Sequence, residues 1–277
     1  VKAGYPKRFG AGVIASAGGL GILIPPSIVM VMYAVSTNSS IGALFMAGVV
    51  PGLMLAGIFA VYCMTAARLS RHPVPREPRA SAGEALAALR RAAWALALPA
   101  MVLGGMYFGV FTATEAAAAG ALGALAIAAL VYRSLSLRDV WRSSIDAARN
   151  SAMLFLILAA AALLGNVLTK LRIPTQMVEL VTQHGLSQTA FLLAVMALVF
   201  VLGMFLETIS IILITTPVVL PVLTALHISP VWYGILLTIN LELALITPPV
   251  GMNLFAIKAI ARASLGACLG PSQGLGQ

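Results

Sequence analysis

The sequence predicts an all-α integral membrane protein, a polytopic helical bundle with two broken helices and a re-entrant hairpin. Hydrophobic residues fill 61% of its positions and charged residues 9%, whereas a soluble domain is about a quarter charged. The mean hydropathy is +1.02, and the apolar residues fall in runs of about 20, the length that crosses a bilayer. The lipid bilayer is therefore the expected environment of the chain.

The net charge of +9 comes from basic residues in short loops between the apolar runs. This distribution follows the positive-inside rule, in which Lys and Arg hold loops in the cytoplasm, and it argues against nucleic-acid binding. The two cysteines indicate neither a disulfide framework nor a metal cluster. The chain opens on Val1 without a signal-peptide pattern, so we expect a fragment of a longer protein.

Seven apolar runs are candidate spanning helices. They are residues 9–35, 41–67, 93–111, 115–132, 151–168, 190–205 and 231–261. Glycines and a pair of prolines interrupt the first run, and a second pair of prolines interrupts the last. Residues 206–226 contain too many prolines and polar side chains for a simple span. They are predicted to form a helix–turn–helix hairpin that enters the membrane and returns.

Two polar segments separate these runs, and both are predicted to be cytoplasmic because both are basic. Residues 67–91 contain six arginines and begin as a loop, after which residues 83–91 could form a short surface helix. Residues 133–150 place apolar side chains three or four positions apart between charged ones. This spacing predicts an amphipathic helix at the membrane surface, the alternative being a solvated connector.

The two interrupted runs match each other when Pro25 and Pro26 are aligned with Pro248 and Pro249. Two broken helices at corresponding places in two halves are the sequence sign of the binding site of a secondary transporter. A break within the membrane frees carbonyl groups that can coordinate a cation. It also leaves a half-helix N-terminus whose amides and partial positive charge attract an anion.

The basic residues orient the two broken helices. Lys7 and Arg8 place the start of the first in the cytoplasm, and Lys258 and Arg262 place the end of the last there. The two helices therefore run in opposite directions, as in an inverted repeat. Five apparent spans lie between them, an odd number that would make them parallel. One of the five is expected to be re-entrant or to lie flat.

Few charged residues lie within the apolar runs, where charge is costly and usually functional. Glu115 follows Thr112 and Thr114 and fits the first turn of a capped helix better than a binding site. Glu207 opens the predicted hairpin, where it is equally a candidate for coordination and for a structural role. Glu242 precedes the second break and could orient the broken backbone instead of binding an ion.

The candidate sodium and substrate site consists of the residues that flank both breaks and open the hairpin. Its members are Ser16, Gly18, Gly19, Gly21, Pro25, Pro26, Ser27, Glu207, Thr208, Ser210, Asn240, Glu242, Thr247, Pro248, Pro249 and Gly251. Hard cations take oxygen ligands, which the side chains of Thr208, Ser210, Asn240 and Thr247 offer. The alternative for each Ser and Thr is a hydrogen bond to the preceding helical turn.

Catalytic signatures are missing from the sequence, which has no HExxH motif, no paired membrane aspartates and no Walker motif. Neither an intramembrane enzyme nor an ATPase is predicted.

Five segments in order together resemble the large membrane subunit of TRAP (tripartite ATP-independent periplasmic) transporters, from Gly4 to about Ala263. They are GYPKRFGAGVIASAGGLGILIPPSIVMVMYA, SIGALFMAGVVPGLML, LGGMYFGVFTATEAAAAGA, LGMFLETISIILITTPVVLPV and NLELALITPPVGMNLFAIKAIA. The resemblance implies import of organic acids, such as C4-dicarboxylates or sialic acid, by an elevator movement. Sodium is then the coupling ion, no other cofactor is expected, and the location is the bacterial inner membrane.

The resemblance also implies two partners, a small four-helix membrane subunit and a periplasmic substrate-binding protein. Residues 206–226 correspond to the second hairpin of the family, whose tip faces a proline-pair helix at a sodium site. The first hairpin would precede Gly4, so only the sodium site of the C-terminal half is expected to be complete. A stand-alone sodium–carboxylate symporter and a scaffold or receptor subunit remain alternatives.

The resulting organisation has four parts. Residues 1–67 form the later part of a first repeat, 68–92 a basic linker, 93–263 a second repeat with hairpin 206–226 and broken helix 231–261, and 264–277 a polar tail without spanning character.

Overall fold

The computed structural model of the chain describes residues 7–69 and 80–247, and every regular element in these ranges is helical. The helices are α1 (Lys7–Leu23), α2 (Ile28–Thr37), α3 (Ile41–Leu69), α4 (Ala82–Tyr107), α5 (Ala113–Ala126), α6 (Leu137–Lys170), α7 (Ile173–Gln183), α8 (Gln188–Gly203), α9 (Thr208–Ala225) and α10 (Pro230–Leu245). A π-helical turn, Ile127–Val131, follows α5. Six helical segments of the described ranges are long and apolar enough to cross a membrane, which confirms the all-α membrane fold.

The chain divides into two compact units, one of residues 1–76 and 168–277 and the other of residues 77–167. In the second unit α4 packs against α5 at glycines. A Cβ added to Gly120 would lie 2.9 Å from Val102 Cγ2, and one added to Gly123 would lie 3.0 Å from Leu98 Cδ2. None of the α4 side chains is buried, consistent with apolar surfaces that face lipid rather than protein.

Reciprocal capping sets the start of the helices in this unit. Thr112 Oγ1 accepts a hydrogen bond from the Glu115 amide at 3.3 Å, and the Glu115 carboxylate accepts one from the Thr112 amide at 2.8 Å. The structural role predicted for Glu115 is confirmed. Ser81 and Glu84 form the same pair before α4, which satisfies two backbone amides that the helix leaves free.

The two predicted surface helices are wrong as separate elements. Residues 83–91 are the first turns of α4, which begins at Ala82 and continues into the span. Residues 137–150 are likewise the first part of α6, because no Pro follows to end the helix before Lys170. The 34 residues of α6 extend about 51 Å, well beyond the roughly 30 Å of bilayer hydrocarbon.

The first predicted break lies at residues 24–27, between α1 and α2. Pro25 and Pro26 have no N–H to donate, and each disfavours helical backbone in the residue before it. Ser27 then restarts the helix as the N-cap of α2, with its Oγ accepting from the Met30 amide at 3.4 Å. The prolines therefore precede the cap and do not lie in the first turn of α2.

Three glycines expected to contribute to this break lie inside α1 instead, so that part of the prediction is wrong. They are Gly18, Gly19 and Gly21. A glycine lowers helix stability by about 1 kcal/mol, which neighbouring contacts can offset, whereas a proline pair removes two hydrogen-bond donors.

The last interrupted run begins as α10, which Ser229 caps by accepting from the Trp232 amide at 3.4 Å. The helix ends at Leu245, three positions before Pro248. Residues 248–261 of this run and the tail 264–277 lie outside the described residues.

The predicted hairpin has different boundaries in the structure. Residues 208–225 form the single helix α9, and the turn lies at residues 204–207, between α8 and α9. The predicted span 190–205 is therefore the first arm of the same hairpin. Pro217 and Pro221 remain within α9, where Thr215 and Thr216 donate to the Ile211 and Ile212 carbonyls at 2.8 and 2.6 Å.

The start of α10 packs against α2 in the core of the first unit. Tyr33 is 1% exposed, and its hydroxyl donates to the Pro230 carbonyl at 2.7 Å. Its ring lies against Gly234, where an added Cβ would come within 2.5 Å of Tyr33 Cε1. Farther along, Gly19 of α1 contacts Glu242. The order of these contacts makes α10 antiparallel to α1 and α2, as the basic residues predict.

We expect Tyr33→Phe to lower the free energy of unfolding by about 1 kcal/mol, because it removes a buried hydrogen bond to the Pro230 carbonyl. Thermal unfolding of the purified protein in detergent measures the change. Tyr62→Phe is the matched control, since Tyr62 is 63% exposed on α3 and its loss of a hydroxyl should have no effect. Equal effects of the two substitutions would contradict the proposed contact.

Candidate functional site

The candidate site residues that the structure describes fall into three groups, all in the first compact unit. The first group lies in α1 and the break that follows, the second at the start of α9, and the third in the last turns of α10. Ser16 belongs to α1. Pro248, Pro249 and Gly251 lie outside the described residues.

The turn between α8 and α9 packs against the last turns of α10. A Cβ added to Gly203, the last residue of α8, would lie 2.6 Å from Ala244 Cβ and 3.4 Å from Leu241 Cδ2. Ile211, in the first turn of α9, lies 3.8 Å from the same position. The second and third groups are therefore neighbours, and Gly203 permits their close approach because it has no side chain.

Glu207 is the N-cap of α9. Its Oε2 accepts hydrogen bonds from the Ser210 amide at 3.1 Å and from the Ser210 hydroxyl at 3.4 Å. A carboxylate at this position also interacts favourably with the partial positive charge of the helix N-terminus. The geometry favours the structural role of Glu207, while Thr208 beside it is buried, with 5% exposed.

Two candidate sodium ligands, one within α10 and one two residues after its end, form hydrogen bonds to the backbone. Asn240 Nδ2 donates to the Met196 carbonyl of α8 at 2.8 Å, so this side chain links the two helices. Thr247 Oγ1 donates to the Leu243 carbonyl at 2.6 Å, the local bond noted as the alternative for such residues. A hydroxyl that donates a hydrogen bond keeps the lone pairs of its oxygen, so Thr247 Oγ1 can still coordinate a cation.

Glu242 occupies the contact between α10 and α1. It is 6% exposed, and neither carboxylate oxygen has a hydrogen-bond partner in the described part of the chain. A Cβ added to Gly19 would overlap the carboxylate. Gly19 thus makes room for Glu242 and connects the first group of candidates to the third.

The first break is held by α3. Gly48 and Gly52 of α3 face it, and an added Cβ would lie 3.2 Å from the Leu23 carbonyl oxygen or 3.1 Å from Ile24 Cγ1, respectively. Sequence reasoning missed these two glycines and Gly203. The spacing of Gly48 and Gly52 is a GxxxG pattern, which indicates close helix packing in membranes and could have identified them.

Comparison with known families supports the same reading of the chain. Residues 1–272 match the family described as "Tripartite ATP-independent periplasmic transporter, DctM component". The chain belongs to this TRAP permease family. Together with the six apolar helices of the described ranges, membership makes it a multi-pass integral protein of the bacterial inner membrane.

Curated TRAP relatives match nearly the whole chain. The C4-dicarboxylate TRAP transporter large permease protein DctM of Pseudomonas aeruginosa is 45% identical over 269 residues, 97% of the chain and 62% of the relative. The protein of the same description from Rhodobacter capsulatus is 45% identical over 276 residues, 95% of the chain and 62% of the relative. The ectoine TRAP transporter large permease protein TeaC of Halomonas elongata is 37% identical over 260 residues, 94% and 60% respectively.

The chain spans about three fifths of the length of these TRAP relatives. Their names describe transporter permease proteins, which places the chain among transport proteins and not among enzymes.

We expect Gly203→Ala to destabilise the protein by about 1–3 kcal/mol, the usual cost of overpacking a close contact. The added methyl group would separate the α8–α9 turn from Ala244. Thermal unfolding in detergent measures the loss. Gly57→Ala in α3 is the control, because no atom lies within 4 Å of its added Cβ and alanine favours the helix. Native stability of Gly203→Ala would show that the turn does not pack as described.

Proposed function

We propose that the chain is the membrane permease component of a sodium-coupled, binding-protein-dependent secondary transporter that imports organic acids by an elevator mechanism. Membership of the TRAP family supports this proposal. The observation that carries it is the contact between the α8–α9 turn and the last turns of α10, made through Gly203 and Ala244.

Two helix ends of opposite polarity meet at this contact. The C-terminal end of α10 carries partial negative charge and carbonyls without helical partners, which favours a cation such as Na⁺. The N-terminal end of α9 carries partial positive charge, and the amides that Glu207 does not cap can bind a carboxylate group of the substrate. Transporters place coupling ions and anionic substrates at such interrupted helices. Ser210 and Thr247 supply hydroxyl oxygens at the two ends.

A re-entrant hairpin of α8 and α9 agrees with the direction of α10. Four crossings, by α3, α4, α5 with its π-helical turn, and α6, would return the chain to the side on which α2 ends. If α8 and α9 then enter and leave the membrane from that side, α10 runs opposite to α1 and α2. The contacts of Tyr33 with Pro230 and of Gly19 with Glu242 have this antiparallel order.

The substrate class is inferred from the named relatives. Two relatives at 45% identity are named for C4-dicarboxylates, and one at 37% is named for ectoine. We infer a small organic acid with at least one carboxylate, delivered by a periplasmic binding protein to a complex that includes a small membrane subunit. A thermal-shift screen of the binding protein encoded beside this chain would identify the acid.

Sodium-dependent uptake tests the proposed function directly. The protein expressed from its own gene is reconstituted in vesicles with its small subunit and binding protein. Uptake should require an inward sodium gradient. Ser210→Ala and Thr247→Ala should each raise the sodium concentration for half-maximal uptake about tenfold, the equivalent of about 1.4 kcal/mol for one lost ligand.

Thr65→Ala is the matched control for Thr247→Ala. Thr65 lies on α3 and donates to the carbonyl four residues earlier, Val61, at 2.9 Å, so its loss should leave the sodium dependence unchanged. Uptake without added binding protein would favour a stand-alone symporter. An absence of sodium-dependent flux would favour a scaffold or receptor subunit, and unchanged sodium dependence in both variants would refute the site.

A further inference from the structure

An open cavity of about 320 Å³ lies between α7 and α9. The last turn of α6, the first turns of α7 and the second half of α9 line it, through Thr169, Pro174, Thr175, Val178, Pro217 and Pro221. Its volume is within the roughly 300–1,000 Å³ that is typical of small-molecule sites. None of these six residues belongs to the candidate sodium and substrate site, so that site does not account for the cavity.

The cavity lies near one surface of the membrane. The apolar part of α6 is long enough to span the bilayer, and Lys170 ends the helix directly after it. The 11 residues of α7 extend only about 16 Å, so this helix stays at the surface that α6 reaches. Gln188 Nε2 donates to the Leu226 carbonyl at 2.8 Å, which joins the start of α8 to the end of α9. The base of the hairpin therefore lies at the same surface.

Two cationic residues adjoin the cavity. Lys170 directly follows the lining residue Thr169, and Arg172 is the N-cap of α7. Both side chains are exposed. Glu179 is the one acidic residue of α7 and lies a full turn after Thr175, so the entrance keeps a net positive charge. Lys and Arg form strong, charge-assisted hydrogen bonds with phosphate groups.

The location of these two cations departs from the positive-inside rule. The arginines Arg138, Arg142 and Arg149 in the first part of α6 are predicted to hold its start in the cytoplasm. The helix crosses the membrane once, so Lys170 and Arg172 reach the opposite surface, where the rule disfavours basic residues. A bound anion at that surface would explain why they are there.

The α9 side of the cavity supplies hydrogen-bond acceptors. Pro217 and Pro221 have no N–H, so the carbonyls of Leu213 and Pro217, one turn earlier on the same helical face, lose their regular helical partners. Hydroxyl groups of a headgroup can donate to these carbonyls, and the Thr175 hydroxyl can donate to a phosphate. This combination matches a headgroup that carries both a phosphate and hydroxyl groups.

Apolar surface continues from the cavity towards the bilayer. Leu171, between the two cations, is 59% exposed, and Leu180 of α7 is 49% exposed. Acyl chains can cover such side chains, whereas a soluble anion would leave them uncovered. The surroundings of the cavity therefore favour a lipid over a small anion from solution.

We propose that the α7–α9 cavity binds the headgroup of an anionic phospholipid. Lys170 and Arg172 bind the phosphate, the glycerol hydroxyls meet the free carbonyls of α9, and the acyl chains extend over Leu171 and Leu180. The lipid thereby fastens α7 to the base of the α8–α9 hairpin. This inference goes beyond the proposed function, because neither sodium nor the transported acid takes part in it.

Lipid-dependent stability tests the proposal without a transport assay. The purified, delipidated protein in nonionic detergent is titrated with phosphatidylglycerol, and its thermal unfolding midpoint should rise until it saturates. Lys170→Gln and Arg172→Gln should each raise the lipid concentration for half-maximal stabilisation about fivefold, the usual effect of one cation near a lipid surface. Arg90→Gln is the control, because Arg90 is equally exposed but lies on α4 in the other compact unit. Equal effects of all three substitutions would overturn the site.

A second pair of variants tests the cavity itself. Thr175→Trp places a large side chain in the cavity and should abolish the stabilisation by phosphatidylglycerol. Gln176→Trp adds the same side chain at the next exposed position of α7, which does not line the cavity, and should keep the stabilisation. The same response to phosphatidylglycerol in both variants would overturn the proposed location.

Three other additives test the identity of the occupant. Equal stabilisation by zwitterionic phosphatidylethanolamine would overturn the requirement for an anionic lipid. Equal stabilisation by glycerol phosphate would identify a site for soluble anions and overturn the assignment to a lipid. Stabilisation by the periplasmic binding protein but not by phosphatidylglycerol would assign the two cations to a protein interface, and would also overturn the proposal.

Discussion

Close contact between α10 and its neighbours is the constraint on which the first compact unit depends. Helices in lipid gain little from hydrophobic burial against each other, so van der Waals contact at small residues must hold them together. Gly19, Gly203 and Gly234 provide this at three places along α10, where it meets α1, α8 and α2. Each of these glycines faces a side chain that leaves no room for an added Cβ. These contacts set the position of α10 beside α1 and beside the turn that leads into α9.

The ends of the interrupted helices can bind a ligand together only if this packing brings them close to each other. A broken helix alone exposes carbonyls and amides that lipid cannot satisfy. Here Ser27 caps α2, Glu207 caps α9, and the end of α10 lies beside the turn that leads into α9. Opposite helix ends thus meet at one place, where the proposed site would let a cation and a carboxylate replace the missing water. The same arrangement explains why hydroxyl side chains collect at the two ends, while charged groups remain few.

Local sequence signals correctly predicted the helix break and helix start that depend on residues close together in the chain. The proline pair marked the first break, and Thr112 with Glu115 marked the start of α5. The hairpin could not be placed in this way, because its turn at residues 204–207 contains neither Gly nor Pro, whereas α9 contains two prolines. Gly19 was misread as a helix breaker, since its partner Glu242 is distant in sequence. The N-cap Ser81 lies within the polar segment that was predicted to hold a separate surface helix, so α4 begins upstream of the predicted span.

Sodium binding by the purified protein tests the central claim most directly, because a ligand that binds only the folded state raises its stability with concentration. The measurement is the thermal unfolding midpoint in detergent as sodium replaces potassium at constant ionic strength. If sodium binds at the contact between the start of α9 and the end of α10, the unfolding midpoint should rise with sodium concentration until it saturates. Ser210→Ala should make this rise smaller. A midpoint that is the same in sodium and potassium would contradict it.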